Sequence, residues 1–170
     1  MNSRRFLYLN GEPGSGKSAV LLELAIWACQ YFGVMIVCPT GYQVHSFKSK
    51  LPETDGIENV RVDTIHGLLK YKRPGEDSKR TWAPPSALRR IDLILCDEAS
   101  QFEDQEWDRF YECVREQPHD PFTVVAADFQ QLQPVVSGGQ CQLFCERMQS
   151  VTLDTVYRTA DKEHLLFLNR

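Results

Sequence analysis

No stretch of the 170-residue sequence approaches the roughly 18 consecutive uncharged apolar residues that a membrane-spanning helix requires. The chain is therefore expected to have no membrane span. Its first residues, Met1-Asn2-Ser3-Arg4-Arg5, lead into only four apolar ones, Phe6 to Leu9, before a glycine-rich loop. That is too short for the core of a secretory signal, and the expected location is intracellular. Paired C-x2-C spacing is absent, so a zinc site built from Cys113, His119, Cys141 and Cys145 is disfavoured. With no secretory signal, and with Cys29, Cys38 and Cys96 inside apolar segments, the six cysteines read as free, mostly buried thiols rather than three disulfides. There is no internal repeat, and no linker is long enough to separate one domain from another. A composition of 42% apolar and 25% charged residues argues against disorder, collagen and a low-complexity tail. The length suffices for one domain with a proper core and leaves no room for a second large one.

The formal net charge of −4 taken alone disfavours a nucleic-acid partner, but the charge is unevenly spread. From His45 to Arg90 there are ten Lys/Arg against six Asp/Glu, a local +4, while the remainder carries −8. Aromatics interleave the basic residues from Lys70-Tyr71-Lys72-Arg73 to Lys79-Arg80-Thr81-Trp82, a composition that pairs phosphate attraction with base stacking. A solvated surface loop has the same composition, and composition does not separate the two.

Apolar runs at Phe6–Leu9, Ile91–Cys96 and Phe122–Ala127 have the length and β-branched or aromatic content of buried strands. Further strands are expected at Val34–Cys38, Val60–Val62 and Ser150–Leu153, and helices over Lys17–Phe32, Tyr42–Lys50, Thr64–Lys70, Asp104–Glu116 and Gln140–Gln149. The alternation predicts an α/β fold, a mainly parallel sheet with helical crossovers on both faces. The first helix is apolar nearly all round, from Val20 to Trp27, so Trp27 and its neighbours are expected in the core. Residues Tyr71 to Pro85, with three prolines and many charges, are expected to form a loop or small hairpin standing off the sheet.

Polar groups follow the strands. After Leu9 comes a glycine-rich loop ending in Lys17-Ser18, after Cys96 come Asp97-Glu98, and after Ala127 come Asp128 and Gln131. In an open parallel sheet, ligands bind at the carboxyl ends of the strands, so these groups are expected to converge.

The segment Gly11-Glu12-Pro13-Gly14-Ser15-Gly16-Lys17-Ser18 matches G-x-x-x-x-G-K-[ST] in full, with a strand before it and a helix after it. Its glycines let successive backbone N–H groups turn inward on phosphate oxygens, and the helix N-terminus adds a favourable field. Lys17 is expected to reach the β- and γ-phosphates and Ser18 to bind Mg²⁺. Asp97, closing a hydrophobic strand, is the expected second Mg²⁺ ligand, and Glu98 is placed to polarise an attacking water. Acids opening a helix are favoured there in any case; it is their combination with the phosphate loop that points to hydrolysis or phosphoryl transfer of a nucleoside triphosphate.

The remaining motifs resemble superfamily 1 helicases, most closely the Pif1-like group of the 5′-to-3′ branch. Val37-Cys38-Pro39-Thr40-Gly41 resembles that family's motif Ia, Asp63-Thr64-Ile65-His66-Gly67 its T-I-H motif, and Asp97-Glu98-Ala99-Ser100 its motif II. Ala127-Asp128-Phe129-Gln130-Gln131-Leu132-Gln133-Pro134-Val135 is similar to motif III, and Tyr157-Arg158 to motif IV. The resemblance covers nearly the whole chain. It implies a RecA-like P-loop domain that uses ATP and Mg²⁺ and binds single-stranded DNA. It implies γ-phosphate sensing by Gln131, charge stabilisation by Arg158, and strand-backbone contacts at Thr40, Gly41, Thr64 and His66. On the residues alone, Thr64 also suits a helix cap and His66 a satisfied polar residue.

The sequence departs from the family at Ala127, where glycine is usual, and at Gln133, where proline is common. It has no counterpart of the upstream adenine-recognising motif, nor of motifs V and VI of a second RecA-like domain. The expectation is a first motor domain, a fragment or reduced form, that needs a second domain or a partner chain to unwind DNA. Two other readings stay open: a different P-loop enzyme such as a nucleotide kinase, disfavoured by the lack of an arginine-rich lid segment, and a non-catalytic module that binds nucleotide or single-stranded DNA.

Overall fold

The computed structural model describes residues 5–53, 57–69, 86–129 and 139–155. Six strands, β1 (Phe6–Gly11), β2 (Val34–Cys38), β3 (Val60–Thr64), β4 (Leu93–Cys96), β5 (Phe122–Ala126) and β6 (Gln149–Leu153), form one sheet in the order β3-β2-β4-β5-β1-β6. Every neighbouring pair is parallel, so the mainly parallel sheet expected from sequence is wholly parallel among the described residues. Among the described residues five α-helices accompany it: α1 (Lys17–Ala28), α2 (Gly41–Lys50), α3 (Ile65–Leu69), α4 (Asp104–Arg115) and α5 (Gly139–Cys145).

Strands β2, β4 and β5, inside the sheet, are buried on both faces because their apolar residues alternate between two cores. Val34, Ile36 and Cys38 of β2 pack with Leu21, Ala25 and Ala28 of α1 and Phe47 of α2. Met35 and Val37 of the same strand pack with Ile65 and Leu68 of α3, Trp107 and Phe110 of α4, and Cys141 and Cys145 of α5. Crossovers between parallel strands distribute helices to the two faces in this way. The aromatic side of the second core is tightly arranged: Phe144 meets Tyr111 at 4.7 Å, Phe6 at 5.2 Å and Trp107 at 5.4 Å between ring centroids, in the edge-on geometry that aromatic quadrupoles favour.

Helix α4 has the clearest local signals. Glu103 and Glu106 form a reciprocal capping box, with the Glu106 side chain accepting the Glu103 N–H at 2.9 Å, and Arg115 sits in the last turn where it complements the helix dipole. All six cysteines are buried free thiols. His119, considered above as a metal ligand, contacts the Ile91 carbonyl oxygen through Nε2 at 2.7 Å.

Three expectations need correction. Helix α1 ends at Ala28, not Phe32: the Tyr31 N–H reaches the Ala28 carbonyl, three residues back instead of four, so the chain leaves the α-helical ladder in a tighter turn. The turn brings Gly33 against β4, where its carbonyl accepts the Asp92 and Leu93 N–H groups. A Cβ at Gly33 would overlap the Arg90 carbonyl oxygen, so the close approach requires glycine. Helix α5 ends at Cys145 rather than Gln149, since Gln149 pairs with Leu7 in the sheet. Trp27 is not core: it is 58% exposed, with Tyr31 at 68% and Val20 at 41%. An open sheet covers one side of a helix, and α1 is apolar on the outer side as well. The loop or small hairpin expected at 71–85 and the basic-aromatic stretch from Lys70 to Trp82 lie outside the described residues.

Candidate nucleotide site

The glycine-rich loop lies between the end of β1 and the start of α1. Gly14 and Gly16 have φ of 81° and 92°, left-handed values that glycine adopts without a Cβ penalty, and Gly16 is the N-cap of α1. The turn curls the loop over the helix N-terminus, where backbone N–H groups lack helical partners. Inside it, Ser15 is buried and its hydroxyl has no hydrogen-bond partner. Buried polar atoms are normally satisfied, so this one fits a loop built to close on a polar ligand. A Cβ on Gly11 would collide with that hydroxyl.

Lys17 folds back on its own loop, donating to the Gly11 carbonyl at 2.6 Å and the Glu12 carbonyl at 3.1 Å. Burial lowers its pKa, and the carboxylates of Asp128, Asp97 and Glu98 oppose that shift. The ammonium thus stands among three acids. Next to it, the Ser18 hydroxyl lies 3.0 and 2.9 Å from the two Asp97 oxygens. Asp97 is 3% exposed. Burial raises its pKa to about 6, the bond from Ser18 opposes the rise, and the Glu98 charge adds to it.

Parallel pairing explains how residues distant in sequence meet. Strand β4 is joined to β1 through β5, with Leu9 opposite Ala126 and Cys96 opposite Val125, so Asp97 and the phosphate loop leave the same edge of the sheet. A cleft of about 300 Å³ there is lined by Gly14, Gly16, Lys17, Ser18, Asp97, Glu98 and Asp128, among others. Asp128 is buried, and its N–H donates to the Ser100 hydroxyl at 3.3 Å. Gln131 and Arg158 lie outside the described residues.

The hydroxyl of Ser18 and the carboxylate of Asp97 are hard oxygen donors of the kind Mg²⁺ takes. With the inward-turned loop and the unpartnered Ser15 hydroxyl, they fit a magnesium nucleotide.

The four residues expected at a DNA strand lie at or just beyond the ends of two neighbouring strands, β2 and β3, which run in register with Cys38 opposite Thr64. Thr40 caps α2, accepting the Gln43 N–H at 3.4 Å; Thr64 caps α3, accepting the Gly67 N–H at 2.9 Å. Gly41 faces open space. His66 is 62% exposed, and its Nδ1 lies 3.1 Å from the buried Glu106 carboxylate.

Sequence reasoning misses Gln43 and Gln101, whose amides both reach Glu98 Oε2, Gln101 at 2.6 Å. Thr40-x-x-Gln43 has the spacing of a capping box, which marks Gln43 as a residue with a local role; that its amide crosses to Glu98 is visible only in the fold. The backbone of Glu98 is itself left-handed, with φ 46° and ψ 42°, an uncommon conformation for a non-glycine residue and one found at functional sites.

The sheet order, the phosphate loop after β1 and the acid pair after β4 define a RecA-like P-loop domain. Residues 1–168 match the AAA domain family, and the chain belongs to it. No curated protein matches the sequence significantly. Among solved structures, the Bacteroides Pif1 helicase double mutant L95C-I339C is similar with a TM-score of 0.64 and 17% identity, over 99% of this chain and 42% of that one. Unliganded Pif1 from Bacteroides sp. gives 0.60 and 18% over the same shares. The arterivirus helicase, nonstructural protein 10, gives 0.58 and 16%, over 89% of this chain and 35% of that one. At these identities the likeness is one of fold.

Proposed function

We propose that this chain is the ATP-binding and ATP-hydrolysing motor domain of a Pif1-like 5′-to-3′ DNA helicase, acting on single-stranded DNA. The observation that carries the reading is the junction of Lys17, Ser18, Asp97 and Glu98 in one cleft beneath a glycine loop. The resemblance of the strand-end motifs to helicases supports the choice of DNA as partner.

Lys17 would leave the Gly11 and Glu12 carbonyls to pair with the β- and γ-phosphate oxygens, where its charge offsets theirs. Ser18 and Asp97 would hold Mg²⁺, which when bound supplies neutralising charge to the phosphates. Glu98 would take a proton from the attacking water as its oxygen bonds to the γ-phosphorus. The bond from that phosphorus to the bridging oxygen breaks, and its electron pair leaves with ADP. Gln131 would sense the γ-phosphate and Arg158 would stabilise the transferring charge, as the family resemblance implies. The chain spans 42% of the length of the Pif1 helicase it resembles. We propose that unwinding needs a second RecA-like domain, in the same protein or a partner, because stepping requires two domains that close and open over the nucleotide.

The test is Mg²⁺-dependent ATP hydrolysis with and without single-stranded DNA, at low and moderate salt, with Glu98→Gln as the blank. Stimulation that fades with salt supports the reading. The same turnover in the blank as in the parent overturns it.

A further inference from the structure

Glu98 is held from outside the phosphate loop. Its Oε2 accepts two side-chain amides, one from Gln101, three residues on, and one from Gln43, 55 residues away in sequence on the first turn of α2. The other end of the Gln43 amide is also engaged, because its Oε1 accepts the Thr40 hydroxyl at 2.7 Å. A continuous path therefore runs from the Thr40 O–H through the Gln43 amide to the Glu98 carboxylate. The amide group is planar and rigid, so its oxygen and nitrogen cannot be re-aimed independently.

We propose that Gln43 is a positioning residue that couples a strand bound at the end of β2 to the orientation of Glu98. This rests on the reading above, in which Thr40 contacts the strand and Glu98 serves hydrolysis. A threonine hydroxyl has one proton to donate. In the free chain that proton goes to Gln43. A phosphate oxygen of a bound strand is the stronger acceptor, since hydrogen bonds to ionised groups exceed neutral ones. Once Thr40 donates to phosphate, Gln43 Oε1 loses its partner and the amide is free to turn. Glu98 Oε2 then keeps one of its two donors, and the carboxylate gains freedom to face the cleft that it lines. Without a strand, Gln43 restrains Glu98; with one, it lets go.

Gln43 is half-buried on a surface helix, so its replacement leaves the core intact. In the full chain, Gln43→Leu is expected to raise the strand-free ATP turnover several-fold. Its ratio of turnover with oligothymidylate to turnover without should fall toward one, and its KM for ATP should not change. Thr40→Ser, which keeps the hydroxyl, should retain the parent ratio. A Gln43→Leu protein with the parent ratio, or with both rates lowered equally, overturns the proposal.

A second measurement does not depend on turnover. In the ¹⁵N-labelled parent chain, the Gln43 side-chain amide resonance should move when oligothymidylate is added. A static Gln43 signal while the backbone signals around Thr40 respond overturns the coupling, as does the absence of any response to oligothymidylate. If the Gln43 signal moves but no form of the chain hydrolyses ATP, the link from strand to Gln43 stands and the hydrolytic reading of Glu98 fails.

Discussion

The Ser18 hydroxyl lies within 3.0 Å of both oxygens of Asp97, 79 residues away in the chain. Neither residue defines a site alone; they meet because the sheet ends the glycine-rich loop and a buried carboxylate at the same edge.

Asp97 makes a testable demand on stability. Its pKa is about 6 in the folded chain against an ordinary carboxylate value of 3.8. The folded state thus holds the proton more tightly than the unfolded one. That contribution to stability is present below about pH 4 and is lost as pH rises through about 6, on the order of 3 kcal/mol in all. Asp97→Asn should raise the melting temperature of the metal-free chain at neutral pH and leave it unchanged near pH 4. The same variant should bind Mg-nucleotide poorly. An equal effect at both pH values means that the Asp97 charge is not what limits stability.

Lys17 is the one cation of the glycine loop and stands beside Asp97, Glu98 and Asp128. Lys17→Ala should abolish Mg-nucleotide binding in calorimetry. Unchanged affinity would remove the phosphate-loop assignment.

Glu98 lines the cleft with its Oε2 turned to the amides of Gln43 and Gln101, and its proposed role lies in turnover. Glu98→Gln should keep nucleotide affinity and lose hydrolysis by a factor of about 10² or more. Parallel binding and turnover assays check both halves.

Thr64 caps α3 and is also proposed to meet the strand. Aspartate caps helices at least as well as threonine but repels phosphate. Thr64→Asp should therefore melt within about 1 kcal/mol of the parent while binding single-stranded DNA more weakly. Thermal melts and fluorescence anisotropy read the two effects separately.

Trp107 and Trp27 should respond differently to truncation. Trp107 is fully buried in contact with Phe110 and Phe144, so Trp107→Ala should cost roughly 3–5 kcal/mol. Trp27→Ser, at an exposed site, should stay within about 0.5 kcal/mol. Denaturant unfolding of both variants measures the contrast.

Much of this fold is legible in the residues because the signals are local. Continuous apolar runs mark strands buried on both faces, and the phosphate-loop spacing is set by backbone geometry within eight residues, so β1, β2, β4 and β5 and the Gly11–Ser18 loop emerge from sequence with small shifts at their ends. Trp27 is misplaced by sequence reasoning because an apolar residue carries no record of which side of a helix another layer covers. The end of α1 is misplaced because the apolar pattern runs on past Ala28, while the turn that follows seats Gly33 against Arg90, a contact between segments far apart in sequence. Spacing could nominate Ser18, Asp97, Thr40 and Glu98 one by one. Only the register of parallel strands could decide that Ser18 reaches Asp97 and that Gln43 bridges Thr40 to Glu98, since hydrogen bonds form between neighbours in space and strand order determines which residues those are.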